Sequence, residues 1–197
     1  MITDPRQSEV FPATAERWLD LEALFGEHGA YANCWCTFWR IKRSEFSKLK
    51  SEEKKALLKE WTTLPIAPGV LAYDGGLAVG WCAIQPRETL LPLAKSRILK
   101  PVDDQPVWSI VCYFVAKTAR RQGVMQALLR GAIEYARQNG ANIVEGYPLD
   151  MQSAPLDGKK LTGYSGFMGI ASVYRELGFV EVGRASETQM IMRYEIH

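Results

Sequence analysis

The sequence predicts an α+β domain with a central sheet, and three stretches carry that prediction. Trp108 to Val115 is an unbroken apolar run rich in β-branched and aromatic residues, the mark of a buried strand. Beyond Gly123 the period changes, with Gln126, Arg130, Glu134 and Gln138 falling four apart on one polar face. Val124, Met125, Leu128, Leu129, Ala132, Ile133 and Ala136 cover the rest, an apolar surface wide enough that this helix must lie on a sheet. The third stretch is a hairpin, with Val70 to Tyr73 and Leu77 to Gln85 as strands around an Asp74-Gly75-Gly76 turn.

The other elements follow in order. Ser8 to Pro12 reads as a short first strand, and Thr14 as the cap of a helix that carries Trp18, Leu21, Leu24 and Phe25 and stops at Gly26. Residues 26–40 combine glycines with a high density of Tyr, Trp, Phe and Cys. Arg43 to Leu64 is charge-rich and helical, with Ser51, Glu52 and Glu53 as a helix start and a Pro-Ile-Ala-Pro-Gly stop at 65–69. Pro86 to Pro106 is a long connection with helical character over Leu91 to Lys100. After the central helix come a strand over Asn142 to Gly146, a loop over Tyr147 to Lys160 and a helix over Gly166 to Leu177. Ile170, Val173, Tyr174 and Leu177 share that helix's apolar face, and Phe179 to Arg184 and Gln189 to Ile196 are the last strands. The 197 residues are expected to form a single domain, helix-rich over about 1–65 with a core over about 70–196.

Composition excludes several functions. The formal charge of +2 comes from interleaved acids and bases, so a nucleic-acid partner is not expected. No apolar run is long enough to cross a bilayer, and a terminus with Asp4, Arg6 and Glu9 lacks a signal peptide's apolar centre. A cytoplasmic protein is expected, without a membrane partner. Cys34, Cys36, Cys82 and Cys112 sit in apolar settings that suit reduced thiols. With only His28 and His197, a His-based triad or metal site lacks material, and no metal is expected. Chemistry here must use carboxylates, Tyr, Cys, backbone groups or a cofactor.

The turn between Val115 and Val124 is the strongest chemical signal. Lys117, Arg120 and Arg121 precede Gly123, where the helix opens near Gln122. The first N–H groups of a helix lack intrahelical partners and the macrodipole adds positive charge, so a diphosphate suits this position. The plain alternative is a strand–turn–helix corner with solvated arginines. Neither the Walker ending nor the three-glycine dinucleotide pattern is present.

Arg120-Arg121-Gln122-Gly123-Val124-Met125 resembles motif A of the GNAT N-acetyltransferase superfamily, Gln/Arg-x-x-Gly-x-Gly/Ala, with Met125 in place of the small last residue. Tyr174-Arg-Glu-Leu-Gly178-Phe179 resembles that superfamily's Tyr-x-x-x-Gly-Phe ending, although Phe167 stands where an Asn is usual. The resemblance covers roughly Val70 to Ile196. It implies a three-layer α/β/α arrangement: a mixed, mostly antiparallel sheet flanked by helices. It also implies that acetyl-CoA contacts Phe114, Val115, Arg120, Arg121, Gln122, Gly123, Val124 and Met125. Cys34-Trp35-Cys36 and the Glu145-Gly146-Tyr147-Pro148 strand end are similar to one branch of the superfamily, which implies a reaction but no acceptor.

The expected reaction is transfer of an acetyl group to a primary amine of a small molecule or peptide by direct attack in a ternary complex. Tyr174 is the expected acid on the leaving thiolate. Glu145, at a strand end, is the first choice of base, acting through water, and Glu88 the second. Tyr31, Trp35, Phe38 and Trp39 either line an acceptor pocket or simply pack the core. A non-catalytic acyl-CoA-binding module is the alternative function. A redox or metal role for Cys34 and Cys36 has less support, and a homodimer is left open.

Overall fold

The computed structural model describes residues 8–160 and 166–197, so Asp4 and Arg6 lie outside the described residues. Among these, seven strands form one sheet. In chain order they are β1 (Glu9–Pro12), β2 (Gly69–Asp74), β3 (Leu77–Pro86), β4 (Trp108–Val115), β5 (Ile143–Gly146), β6 (Val180–Ser186) and β7 (Gln189–Glu195). Their spatial order is β1-β2-β3-β4-β5-β7-β6. Only β4 and β5 pair in parallel, so the sheet is mixed and mostly antiparallel, as expected.

Helices cover both faces. On one face, α5 (Val124–Gln138) buries Val124, Leu128, Leu129, Ala132 and Ala136 against Cys82, Ile84, Ile110 and Val144. Gly80 permits the close approach, since a Cβ there would stand 2.7 Å from Val124 Cγ1 and 2.9 Å from Leu128 Cδ1. Tyr135 joins this layer although its polar end hides it from a periodicity count, and its hydroxyl donates to Ala67 O. On the other face, α1 (Trp18–Phe25) and residues 26–41 cover Leu71, Trp81 and Val111. Below them lie α2 (Arg43–Phe46) and α3 (Ser51–Trp61).

Three boundaries differ from expectation for physical reasons. Thr14 makes no side-chain cap; a 3-10 turn over Ala15–Arg17 precedes α1, and Thr14 Oγ1 accepts from Arg17 instead. The expected helix over 43–64 is broken in two between Phe46 and Ser51, and Glu53 accepts the Lys50 N–H at 2.8 Å to start the second part. The last helix, α6 (Ala171–Glu176), begins late, because Phe167 to Ile170 are drawn against the sheet. Within the 86–106 connection, helix α4 is confined to Leu91–Ala94.

One irregularity sets up the site. β3 pairs Ala83 with Cys112 but Ile84 with Ile110, so Val111 is an extra residue on β4. Such a bulge bends its strand and increases the local twist. Beyond Ile110, β4 no longer pairs with β5, whose ladder holds only Trp108, Ser109 and Ile110. The two parallel strands therefore part at their carboxyl ends.

Candidate active site

The basic turn lies where β4 parts from β5. A 3-10 turn over Lys117–Ala119 follows β4, and Gly123 is the residue at the N-terminus of α5. Arg121 and Gly123 take positive φ, +62° and +79°, while Arg120 is extended. A left-handed conformation costs a non-glycine residue about 1 kcal/mol or more. Such alternation turns neighbouring N–H groups toward one side, a concave seat for an anion. No acid occupies the first turn of α5, and Arg120, Arg121 and Gln122 are exposed. Arg120 Nε donates to Val115 O at 3.2 Å, which ties the turn to the strand. Met125 is partly buried against the core, so its bulk is taken up there.

The edge of β4 supplies backbone donors. Ala116 N–H donates to Val79 O at 2.9 Å, so the antiparallel alternation turns Phe114 toward β3 and leaves Tyr113 and Val115 facing the parted side. Val115 N–H points into that gap. Tyr113 N–H is already taken, because Phe167 O accepts it at 2.6 Å. Anything entering between the strands competes with Phe167 for that donor. Phe114 contributes its ring to the other face, edge-on to Phe25 at 5.7 Å.

Tyr174 does not have an open-edge hydroxyl. Its ring is fully buried between Gly146 and Gly169, both of which must lack a Cβ to admit it. The hydroxyl accepts from Tyr113 at 3.1 Å and donates to Met168 O at 3.5 Å, and burial holds it well above the ordinary tyrosine range. The expected burial of the ring on the sheet is present, and the hydroxyl expected to act as the acid is enclosed with it. Tyr174→Phe is expected to lower stability by about 1 kcal/mol, since the Tyr113 hydroxyl loses its acceptor. Urea unfolding of both proteins reads this difference.

Glu145, the first choice of base, is fully buried, and Oε1 accepts from Arg87 Nη1 at 3.0 Å and Tyr147 Oη at 2.6 Å. Oε2 accepts from Arg193 Nε at 2.8 Å, and Arg193 also holds Asp103. Ser109 Oγ lies 2.8 Å from the Tyr147 hydroxyl. Two guanidiniums and a phenol therefore share this buried carboxylate through charge-assisted hydrogen bonds. The same Arg87 also donates to Leu93 O and Leu99 O, which pins the 86–106 connection over the sheet. Sequence reading missed this network. Two polar residues inside apolar strands, Ser109 and Arg193, were its available signal. Glu88, the second choice, is exposed in the turn that opens the connection.

The aromatic segment packs more than it lines. Trp35 and Trp39 are core residues, 3% and 8% exposed. Trp35 stacks on Trp18, meets Phe25 and donates to Ser51 Oγ at 3.0 Å. Phe38 packs edge-on against Trp39 and Phe46, whereas Tyr31 is 52% exposed. Five non-glycine residues here, Ala30, Ala32, Asn33, Trp35 and Cys36, have positive φ, a strain held by this packing. Cys36 Sγ accepts from Trp81 Nε1 at 3.2 Å, and hydrogen bonding from Cys112 and then Trp81 lowers its thiol below the ordinary range. Burial pushes Cys34 up to about 11. All four cysteines are free, and among the described residues no cluster of His, Cys, Asp or Glu is arranged to hold a metal.

A bulged strand that parts from a parallel neighbour, followed by a basic turn and a helix, defines a recognisable class. The sequence profile described as the Acetyltransferase (GNAT) family matches residues 35–150, and the chain belongs to that family. None of the curated proteins matches in sequence. Among solved structures, the chain is similar to histone acetyltransferase HPA2 and related acetyltransferase from Corynebacterium glutamicum, with a TM-score of 0.54, 19% identity and coverage of 96% and 97% of the two chains. It is similar to yncA of Salmonella typhimurium, a putative acetyltransferase solved with its cofactor acetyl-CoA (TM-score 0.54, 12% identity, 96% and 94% covered). It also resembles ribosomal-protein-alanine N-acetyltransferase from Brucella melitensis (TM-score 0.53, 16% identity, 95% and 99% covered). At these identities the likeness is one of fold.

Proposed function

We propose that this acetyltransferase moves the acetyl group of acetyl-CoA to a primary amine by direct attack in a ternary complex. The observation that carries the reading is the Arg120–Gly123 turn at the N-terminus of α5, set beside the parted edge of β4. Arg120, Arg121 and the N–H groups from Gln122 to Met125 hold the diphosphate, and Val115 N–H binds the pantetheine arm. The acyl carbonyl lies next to Tyr113, whose N–H stabilises the oxyanion once Phe167 O releases it. The acceptor approaches from the side of the sheet opposite α5.

In the transfer, the amine nitrogen forms a bond to the carbonyl carbon and the carbon–sulfur bond breaks. The amine's proton leaves to water, and the departing thiolate gains a proton from water to become free CoA. With Glu145 and Tyr174 both hydrogen-bonded inside the core, this reading assigns neither of them as base or acid. Two consequences follow in solution. The kcat/KM should rise tenfold per pH unit below the acceptor's own amine pKa and level off above it, because only the neutral amine attacks. Tyr174→Phe should keep kcat within about tenfold of wild type, where loss of a general acid removes about 10²–10⁴-fold.

The test is thiol release from acetyl-CoA against a panel of small amines and peptide N-termini. Release that matches acetylated product in amount is expected for at least one acceptor class. Tight acetyl-CoA binding with no transfer to any of them would leave a binding module instead of an enzyme.

A further inference from the structure

A second cleft lies apart from the phosphate turn. It encloses about 510 Å³ between the start of α2 and the 91–98 part of the β3–β4 connection. Lys42 and Arg43 form one wall, Lys95 and Arg97 the other, with Leu91 and Ile98 as apolar surface between them. No acidic residue lines it, and none of the four cations forms an ion pair among the described residues. The Arg43 guanidinium also lies 5.4 Å from the Phe38 ring; four like charges lining one cleft repel one another, and a bound anion relieves that repulsion. Ile98, 70% exposed, offers a contact for a carbon chain.

The cleft is fixed in shape from beneath. Ser96 Oγ accepts the N–H of Leu99 at 2.9 Å, and Arg87, locked by Glu145, holds Leu93 O and Leu99 O. Leu90, Leu93 and Leu99 pack into the same core cluster as Trp39, Val111 and Tyr147, on the face opposite α5. The connection enters β4 at Trp108, whereas the phosphate turn leaves it after Val115. An anion in this cleft therefore sits on the face opposite α5, on the connection that leads into β4.

We propose that this cleft binds the acidic end of the acceptor, which is an amine carrying two or more carboxylates. The assignment rests on the acyl-transfer reading above. The carboxylates belong either to a small amino dicarboxylate or to an acidic peptide that starts with a free amine. A basic peptide is disfavoured by the same four cations.

The test uses the full chain and the Lys95→Glu/Arg97→Glu double variant, whose altered side chains are exposed and leave the core untouched. In the first arm, citrate is titrated by calorimetry into protein saturated with CoA, so that the phosphate turn is filled. Citrate should bind wild type and bind the variant at least tenfold more weakly, with acetyl-CoA affinity equal in both. In the second arm, transfer is measured to glutamate, to an Ala-Asp-Glu peptide and to an Ala-Lys-Lys peptide. The acidic acceptors should be preferred by wild type and lose at least tenfold in kcat/KM in the variant. Preference for glutamate or for the peptide then identifies the source of the carboxylates. Citrate binding unaffected by charge reversal, or equal use of acidic and basic peptides, overturns the proposal. Failure to bind acetyl-CoA would instead sink the acyl-transfer reading, while the difference in citrate binding between wild type and the variant still reports on the cleft.

Discussion

Gly123→Asp is expected to weaken acetyl-CoA binding by at least about 100-fold, a loss of roughly 2.7 kcal/mol. The substitution puts a carboxylate at the mouth of α5, where the helix's free N–H groups and two arginines meet. Its effect on stability should be small, because two contributions oppose. A non-glycine residue at φ +79° is strained, yet an acid at the N-terminus of a helix is favourable. Gly123→Asn separates shape from charge: it adds nearly the same side chain without the repulsion. The asparagine variant should bind far better than the aspartate variant. Equal affinity in all three proteins, measured by calorimetry on folded samples, would place the diphosphate elsewhere.

Glu145→Ala should have the largest effect on the fold itself. It leaves Arg87 and Arg193 buried without their common carboxylate, a change that typically costs about 3–5 kcal/mol. Against a total stability of roughly 5–15 kcal/mol, that is enough to unfold much of the protein at growth temperature. Glu145→Gln keeps the shape and one acceptor oxygen, so it should lose less. In material that still folds, acetyl-CoA affinity should be near wild type. The first segment to loosen should be the 86–106 connection, whose carbonyls Arg87 holds. Chemical denaturation gives the stability change, and amide exchange at Leu93 and Leu99 reports the loosening. A fully stable Glu145→Ala enzyme with greatly reduced kcat would restore the carboxylate to the chemistry.

What could be read in advance followed local pattern. Polar residues four apart gave α5 its solvated face, and Asp74-Gly75-Gly76 between apolar runs gave the β2–β3 hairpin. The surroundings of Glu145 were not legible, for a different reason. Its partners Arg87 and Arg193 stand 58 and 48 residues away, and nothing local tells a solvated carboxylate from one with two guanidiniums folded over it. Trp35 and Trp39 show the same limit, since aromatic density serves a core and a pocket equally well. The late start of α6 is a tertiary override. Residues 166–170 have a helical apolar pattern, yet Phe167 O binds Tyr113 N–H and Ile170 bridges Leu149. The bulge at Val111 and the parting of β4 from β5 left no mark in the composition of either strand.

That acyl-CoA binds at the parted end of β4 is tested most directly by calorimetric titration of acetyl-CoA into the purified chain, with a parallel melting curve. One molecule per chain should bind, and ligand at about 100 times its dissociation constant should add roughly 2.7 kcal/mol of stability. Amide exchange at Tyr113 and Val115 should change on binding, since both N–H groups face the gap where the pantetheine lies. No binding of acetyl-CoA or CoA at millimolar concentration, or binding that leaves Val115 and α5's first turn unchanged, would contradict it.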